Sequence, residues 1–271
     1  MRIAFQGERG AYSEAAVVSL YGETELLTCQ GFAEVFEAVA TGKADRGLLP
    51  FENSHTGSIS ENRDLLLSHS LVLVGEAQLR IRHNLLALPG VPLERIRRVH
   101  SHVQALMQCE AYLRRHGLEA VADYDTAGSA KRVSERKDPE AAAIASARAA
   151  QLYGLQILEE GIETTPTNHT RFVVIAPGPG PREGPSKTSL VLTLRNTPGA
   201  LHGALGALAL RGINLTQLES RPSREAPWEY LFFLDLEGHQ EDPNVASALE
   251  ALRADSLELR VFGSYPVAPK S

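Results

Sequence analysis

The sequence predicts an α/β protein of two lobes followed by a small unit of order βαββαβ, and three observations carry that prediction. Short apolar runs alternate with amphipathic stretches through the first 175 residues, the pattern of strands taking turns with helices. The segment Ala176-Pro177-Gly178-Pro179-Gly180-Pro181-Arg182-Glu183-Gly184-Pro185 can neither pair as a central strand nor continue a helix, so it reads as a stiff linker. Beyond it the periodicity runs strand, helix, strand, strand, helix, strand, the ferredoxin-like arrangement.

Taken in order, Arg2 to Gln6, Glu25 to Cys29 and Arg46 to Leu49 are apolar and β-prone, and predict strands. Helices are expected over Ser13 to Leu20, Phe32 to Ala40 and Ile59 to Leu67, with Ser13 as a cap of the first. At the third, Ser58 or Thr56 is the expected cap, and Glu61 would close a capping box from Ser58. Leu71 to Leu88 is too long for one strand and carries Glu76, Arg80 and Arg82, so it predicts a crossover between lobes. The second lobe follows as strand Arg98 to Ser101, helix His102 to His116, strand Glu119 to Asp123 and helix Ala127 to Arg136. Strand Ala141 to Ala145 and helix Ala147 to Tyr153 complete it, Gln156 to Glu160 begins the return, and Phe172 to Ile175 is a closing strand. The boundaries this implies are 1–176 for the two lobes, with crossings near 71–88 and 156–172, then a linker over 177–186 and a C-terminal domain over 187–271. That domain reads as strand Ser189 to Leu194, helix Ala200 to Arg211, strands Asn214 to Ser220 and Glu229 to Leu236, helix Asn244 to Ala254 and strand Leu257 to Phe262.

Composition narrows the function. A chain of 271 residues with 43% hydrophobic content can fill both cores, and a net charge of −6 provides no basic footprint for nucleic acid or an anionic membrane surface. Cys29 and Cys109 stand far apart, without a CxxC or a Cys/His cluster, and predict buried free thiols rather than a disulfide or a zinc site. The histidines lack HExxH spacing, and no GxGxxG, P-loop or GxSxG is present, so no metal, nucleotide cofactor or serine hydrolase is expected. Met1-Arg2-Ile3-Ala4-Phe5 looks like a first strand rather than a leader, and no apolar run reaches transmembrane length, which predicts a cytoplasmic protein.

The chemistry-bearing segments are short, polar and placed where strands give way to helices. Asn168-His169-Thr170-Arg171-Phe172 sets a hydroxyl beside a guanidinium at the mouth of an apolar strand. A threonine hydroxyl can donate to a departing oxygen, and an arginine can hold a carboxylate by two parallel bonds. Pro50-Phe51-Glu52-Asn53-Ser54-His55-Thr56-Gly57-Ser58 packs many donors into one loop. Gly7-Glu8-Arg9-Gly10-Ala11-Tyr12-Ser13, Ser101-His102-Val103-Gln104 and Asp125-Thr126-Ala127-Gly128-Ser129 each open a helix whose free N–H groups suit an anion. In the C-terminal domain, Asn196-Thr197-Pro198-Gly199-Ala200-Leu201 and Glu219-Ser220-Arg221-Pro222 form turns beside strand edges.

Together, Glu52-Asn53-Ser54, Ser101-His102-Val103-Gln104, Asp125-Thr126-Ala127-Gly128 and Asn168-His169-Thr170-Arg171-Phe172 resemble prephenate dehydratase, with residues 187 to 265 similar to that family's C-terminal ACT domain. The resemblance implies a catalytic domain like the type II periplasmic binding proteins and the conversion of prephenate to phenylpyruvate, water and CO2, driven by aromatisation without a cofactor. It implies Thr170 as the group assisting departure of the ring hydroxyl and Glu52 as an orienting or proton-handling group. Asn53, Ser54, Ser101, Gln104, Thr126, Asn168, Arg171 and Phe172 would bind the substrate. L-Phenylalanine would act as effector at subunit interfaces of a homodimer or homotetramer, through Gly199, Ala200, Leu201, Asn214, Glu219, Ser220, Arg221 and Pro222. Family members usually have proline at the position of Val103 and an apolar residue at that of His202. Two alternatives stay open at the level of sequence: arogenate as the substrate, and a non-catalytic amino-acid sensor using the same cleft.

Overall fold

The computed structural model describes residues 1–223 and 229–268, and its contacts divide the chain into two compact units. One holds Met1–Leu65 and Ala77–Phe172; the other holds Leu66–Glu76 and the described residues from Val173 onward.

Along the chain, β1 (Arg2–Gln6), α1 (Tyr12–Tyr21), β2 (Glu25–Cys29), α2 (Phe32–Ala40), β3 (Arg46–Asn53), β4 (Gly57–Ser58) and α3 (Ser60–Ser68) come first. Then β5 (Val72–Arg80) and β6 (Asn84–Ala87) form the crossover. After them come β7 (Arg98–His102), α4 (Val103–Gln108), α5 (Glu110–Arg115), β8 (Glu119–Asp123), α6 (Thr126–Arg136), β9 (Ala141–Ala145), α7 (Ala147–Tyr153), β10 (Gln156–Glu160) and β11 (His169–Ala176). The first lobe's sheet is ordered β2-β1-β3-β11-β5, with β4 paired to β3; the second is ordered β10-β6-β9-β7-β8. The parallel pairs β1/β2, β1/β3, β7/β8 and β7/β9 have helices between their strands, as parallel connection requires. The central strand β9, Ala-Ala-Ala-Ile-Ala, is buried at every position, so it is apolar on both faces rather than alternating.

The crossover is not one strand. Between β5 and β6 the chain breaks at Ile81-Arg82-His83, where it is sewn to the returning segment. The Ile81 N–H donates to the Asn168 carbonyl (2.8 Å), the Ile162 N–H to the His83 carbonyl (3.0 Å), and the His83 N–H to Glu163 Oε2 (2.9 Å). The helix expected over 102–116 is also divided. At Cys109 (φ −105°, ψ 11°) α4 gives way to α5, because the Gln108 carbonyl is taken by the Thr164 N–H at 2.8 Å, a donor from outside the helix.

The lobes meet directly beside the first strand. Ser146 Oγ donates to the Gly10 carbonyl (2.6 Å), and a Cβ on Gly10 would stand 2.9 Å from Ala149 Cα. Glu14, fully buried on α1, takes Arg9 (2.9 Å), the Gly10 N–H (2.7 Å) and Arg148 of α7 (3.2 Å). Burial alone would raise its pKa, but these three partners outweigh that and hold the carboxyl below its ordinary value.

Two expected caps are replaced. α1 starts at Tyr12 with Ala11 in the capping position and no side-chain cap, so Ser13 lies inside the helix. Ser58 sits in β4 and its hydroxyl meets Arg63 (3.3 Å), while α3 begins at Ser60, so the box from Ser58 to Glu61 does not form.

In the second unit β12 (Ser186–Thr193), α8 (Ala200–Ala209), β13 (Leu215–Pro222), β14 (Tyr230–Glu237), α9 (Pro243–Asp255) and β15 (Glu258–Pro266) make the βαββαβ order. Its antiparallel sheet runs β13-β14-β12-β15. Leu190, Leu192, Leu234 and Leu236 of the sheet pack with Ala204, Leu208, Val245, Ala248, Leu249 and Leu252 of the helices. Residues 66–76, upstream of the linker, pack with this sheet. Lys187 Nζ holds both oxygens of Glu76 (3.1 and 2.9 Å), with both side chains buried, and Arg260 donates to the carbonyls of Leu67 and His69. Gly263 (φ +154°) is needed there, since a Cβ would fall 2.2 Å from the Leu73 carbonyl oxygen.

Candidate active site

Both free thiols are buried, and burial pushes Cys109 up to about 12, far from a nucleophile at neutral pH. Among the described residues no cluster of histidine, cysteine and carboxylate side chains is arranged for a metal ion, and no helix is long and apolar enough to cross a membrane. A cleft of ≈ 460 Å³ lies between the two lobes of the first unit, and it is the candidate site.

β11 enters this cleft with its residues alternating, as strands must. Thr170 and Phe172 line the cleft, and Asn168 lines it from just before the strand. The end of β3 contributes Pro50 and Asn53; the N-terminus of α1 contributes Ala11, Tyr12 and Ser13; α4 contributes Gln104, Ala105 and Gln108; α6 contributes Thr126. The apolar part of the wall comes from Phe32, Pro50, Ile59, Ile81 and Phe172. None of the lining residues is lysine, arginine, aspartate or glutamate. Positive potential is supplied by the N-termini of α1 and α6, helices of 10 and 11 residues. Because α1 lacks a side-chain cap, its first-turn N–H groups remain available; α6 is capped by Asp125, which takes the Gly128 N–H.

A chain of hydrogen bonds runs through the back of the cleft. Asn53 Oδ1 accepts the backbone N–H groups of His55 (3.0 Å) and Thr56 (3.1 Å), which fixes the orientation of its amide. Its Nδ2 then donates to Asn168 Oδ1 (2.7 Å) and Thr170 Oγ1 (2.9 Å). Asn168 Nδ2 donates to Gln108 Oε1 (3.1 Å), and His83 Nε2 meets the same oxygen at 2.7 Å. Thr170 Oγ1 therefore accepts from Asn53, and its own proton has no acceptor among the described residues. The Gln108 Nε2 group is in the same position, with Oε1 occupied twice and the amide nitrogen at the cleft.

Of the expected residues, Thr170, Asn53, Asn168, Gln104, Thr126 and Phe172 come together on the wall. Four others do not reach it. Arg171 follows Thr170 on the strand and so points to the opposite face, buried over the Phe51 ring (5.8 Å) and 3.6 Å from the Glu52 carboxylate. Glu52 faces that guanidinium rather than the cleft. Ser54 ties β3 to the returning segment, its hydroxyl donating to the Thr167 carbonyl (3.0 Å) and accepting the His169 N–H (3.0 Å). Ser101 is fully buried and donates to the Ile144 carbonyl (2.7 Å), linking β7 to β9. His83 and Gln108 were not anticipated, and Tyr12 only as part of the segment that opens α1; the three meet through the topology. With valine at 103, α4 still starts there, and His102 caps it by accepting the Gln104 N–H (3.3 Å).

In the second unit Gly199 opens α8 in the left-handed region (φ 86°), and Ala200 and Leu201 line a hollow of ≈ 110 Å³ with Arg195, Asn196, Tyr230 and Phe232. Glu219, Ser220, Arg221 and Pro222 lie outside that hollow, on β13 at the edge of the sheet, and the Asn214 carbonyl accepts the Glu237 N–H (3.0 Å) just before that strand.

Comparison with known proteins accounts for this combination. The family model for prephenate dehydratase matches residues 3–179, and that for the ACT domain matches residues 188–254. The chain is 46% identical over 278 residues to arogenate dehydratase/prephenate dehydratase 2, chloroplastic, of Arabidopsis thaliana, covering 98% of this chain and 73% of that protein. Among solved structures it is similar to GqqA, described as a novel type of quorum quenching acylase (40% identity, TM-score 0.92, 99% of each chain). It is also similar to the prephenate dehydratase of Arthrobacter aurescens in complex with L-Phe (34% identity, TM-score 0.89, 98% of this chain and 89% of that one). The match from residue 3 to residue 179 takes in more than half of the sequence, and the chain therefore belongs to the prephenate dehydratase family of lyases, with an ACT domain behind its catalytic part.

Proposed function

We propose that this protein converts prephenate to phenylpyruvate, water and CO2, with Thr170 as the donor to the departing hydroxyl and L-phenylalanine as the effector. The observation that carries the reading is the Thr170 hydroxyl, which lines the cleft, receives an N–H from Asn53 at 2.9 Å and so keeps its single proton for a ligand. Prephenate offers a ring hydroxyl and, across the ring, a carboxylate. As the C–O bond breaks, its electron pair leaves with oxygen, the carboxylate departs as CO2, and the electrons of that C–C bond complete the aromatic ring. The oxygen leaves at the hydroxide level and becomes water by taking up one proton from the solvent. The Thr170 O–H stabilises the negative charge growing on that oxygen, with full proton transfer unfavourable for so weak an acid. The dianion is met by neutral donors, Gln104, Gln108 and Thr126, and by the N-termini of α1 and α6, in place of a cationic side chain. Arg171 and Glu52 act behind the strand, bracing Thr170 from its other face; Ser54 ties the end of β3 to the returning segment and Ser101 ties β7 to β9.

For regulation, the hollow beside Gly199, Ala200 and Leu201 would receive L-phenylalanine, and the exposed edge β13, bearing Glu219 to Pro222, would pair with a second copy in a homodimer or homotetramer. The test is release of phenylpyruvate from prephenate by the purified protein, with and without L-phenylalanine and with arogenate as a parallel substrate. The isosteric Thr170→Val should lower kcat by about 10²–10³ with the fold retained. Unchanged turnover would remove Thr170 from the mechanism.

A further inference from the structure

We propose that His83, protonated at Nε2, is a positioning residue that together with Asn168 fixes the Gln108 amide so that its N–H groups are left for the substrate; this rests on the reaction given above. The argument follows proton directions through a chain whose far end is immovable. Asn53 cannot turn its amide, because Oδ1 is pinned by two backbone N–H groups. Asn168 cannot turn either, since its nitrogen would then face Asn53 Nδ2 at 2.7 Å. Turning Gln108 would set its nitrogen 3.1 Å from Asn168 Nδ2. Gln108 Oε1 therefore faces His83 Nε2 at 2.7 Å, and that nitrogen must carry a proton.

A neutral imidazole protonated at Nε2 has a bare Nδ1, and the Tyr12 hydroxyl lies 2.9 Å from it. The same hydroxyl lies 2.9 Å from the Arg82 carbonyl, and its one proton serves one acceptor at a time. Burial pushes the imidazole pKa down, against the opposing pull of Gln108 and the Glu163 carboxylate. Burial likewise pushes the phenol of Tyr12 well up, so it remains a donor. With the imidazole proton on Nε2, Nδ1 is left to accept, and the Tyr12 hydroxyl divides its proton between Nδ1 and the Arg82 carbonyl. Were the imidazole proton on Nδ1 instead, Nε2 and Gln108 Oε1 would face each other as two acceptors at 2.7 Å, and relief by turning Gln108 would pass along the chain until it met the pinned Asn53. His83 thus holds the end of the chain opposite to Asn53, and with Oε1 taken twice the Gln108 N–H groups are left for the cleft.

Two measurements test this. The first needs no substrate: ¹⁵N NMR of protein labelled in its histidine rings, with the His83 signals identified by their loss in His83→Gln. Protonated Nε2 and bare Nδ1 at neutral pH are expected, and protonated Nδ1 with bare Nε2 overturns the proposal. The second is kinetic. His83→Leu should lower kcat on prephenate at least tenfold with KM changed less than threefold, and His83→Gln, which restores an N–H towards Gln108, should recover most of the loss. Leu equal to wild type, or Gln no better than Leu, overturns the proposal. Wild-type protein without turnover of prephenate would instead refute the assigned reaction, and the tautomer measurement would still be read on its own.

Discussion

Replacing Asn53 by aspartate changes one NH2 group to oxygen with almost no change of shape, and it tests the source of the Thr170 donor. In the variant one carboxylate oxygen keeps the N–H groups of His55 and Thr56, while the other takes the place of Nδ2. That second oxygen lies 2.7 Å from Asn168 Oδ1 and 2.9 Å from Thr170 Oγ1, both acceptors in the wild type. Thr170 can relieve the contact only by turning its proton inward, away from the cleft. The transition state then loses a hydrogen bond to a developing negative charge, about 2.7–4 kcal/mol, or roughly 10²–10³ in kcat. The added charge also repels a bound carboxylate. At about 6–8 Å and an effective dielectric constant of about 20 this amounts to roughly 2–3 kcal/mol, about thirty- to hundredfold in KM. Because this carboxyl is crowded by acceptors its pKa should rise, and a protonated oxygen would again be a donor, so activity should partly recover as pH falls. Phenylpyruvate release measured from pH 8 down to pH 5.5, with circular dichroism to verify the fold, is the assay. A variant retaining kcat within about threefold at neutral pH would refute the assigned proton directions.

Three further outcomes follow from packing and charge. Gly10→Ala places a side chain where φ is +88° and Ala149 Cα stands 2.9 Å away, so thermal unfolding should show a loss of about 2 kcal/mol or more, several degrees in Tm; an unchanged Tm would mean that the lobes separate freely there. Glu14 has a carboxyl held below its ordinary value, so its contribution is present above the unfolded-state pKa and is lost as pH falls through the folded one. Urea titrations between pH 7 and pH 3 should therefore show Glu14→Gln less stable at neutral pH, by about 1–3 kcal/mol, with a shallower decline into acid. Lys187→Met strips the buried Glu76 carboxylate of its ammonium and should cost about 3–5 kcal/mol in denaturant unfolding, with much of the loss regained by adding Glu76→Gln.

How much was legible beforehand differs between fold and site. The succession of strands and helices in the two lobes and the βαββαβ unit follow from local periodicity, and the structure has them in that order. Strand geometry separates two neighbours that the sequence sets side by side: Thr170 and Arg171 are adjacent on β11, so they point to opposite faces and the guanidinium does not share the hydroxyl's cleft. The division of the long helix at Cys109 was beyond local reading, because its cause is an N–H from Thr164, more than fifty residues downstream. The same holds for Tyr12, His83 and Gln108, which reach one another through the crossing of the chain between lobes. The cap expected at Ser13 failed for a simpler reason: the helix begins one residue earlier, leaving its first N–H groups uncapped at the cleft.

The amide of Asn53 takes its bearing from main-chain N–H groups of its own loop, which no mutation short of proline can remove. A substitution farther along can cut the row of polar side chains behind the cleft, yet none can make it run backwards. Drift at those farther positions should therefore appear as graded weakening, each variant slower than its parent, rather than as an enzyme whose polarity has been reversed.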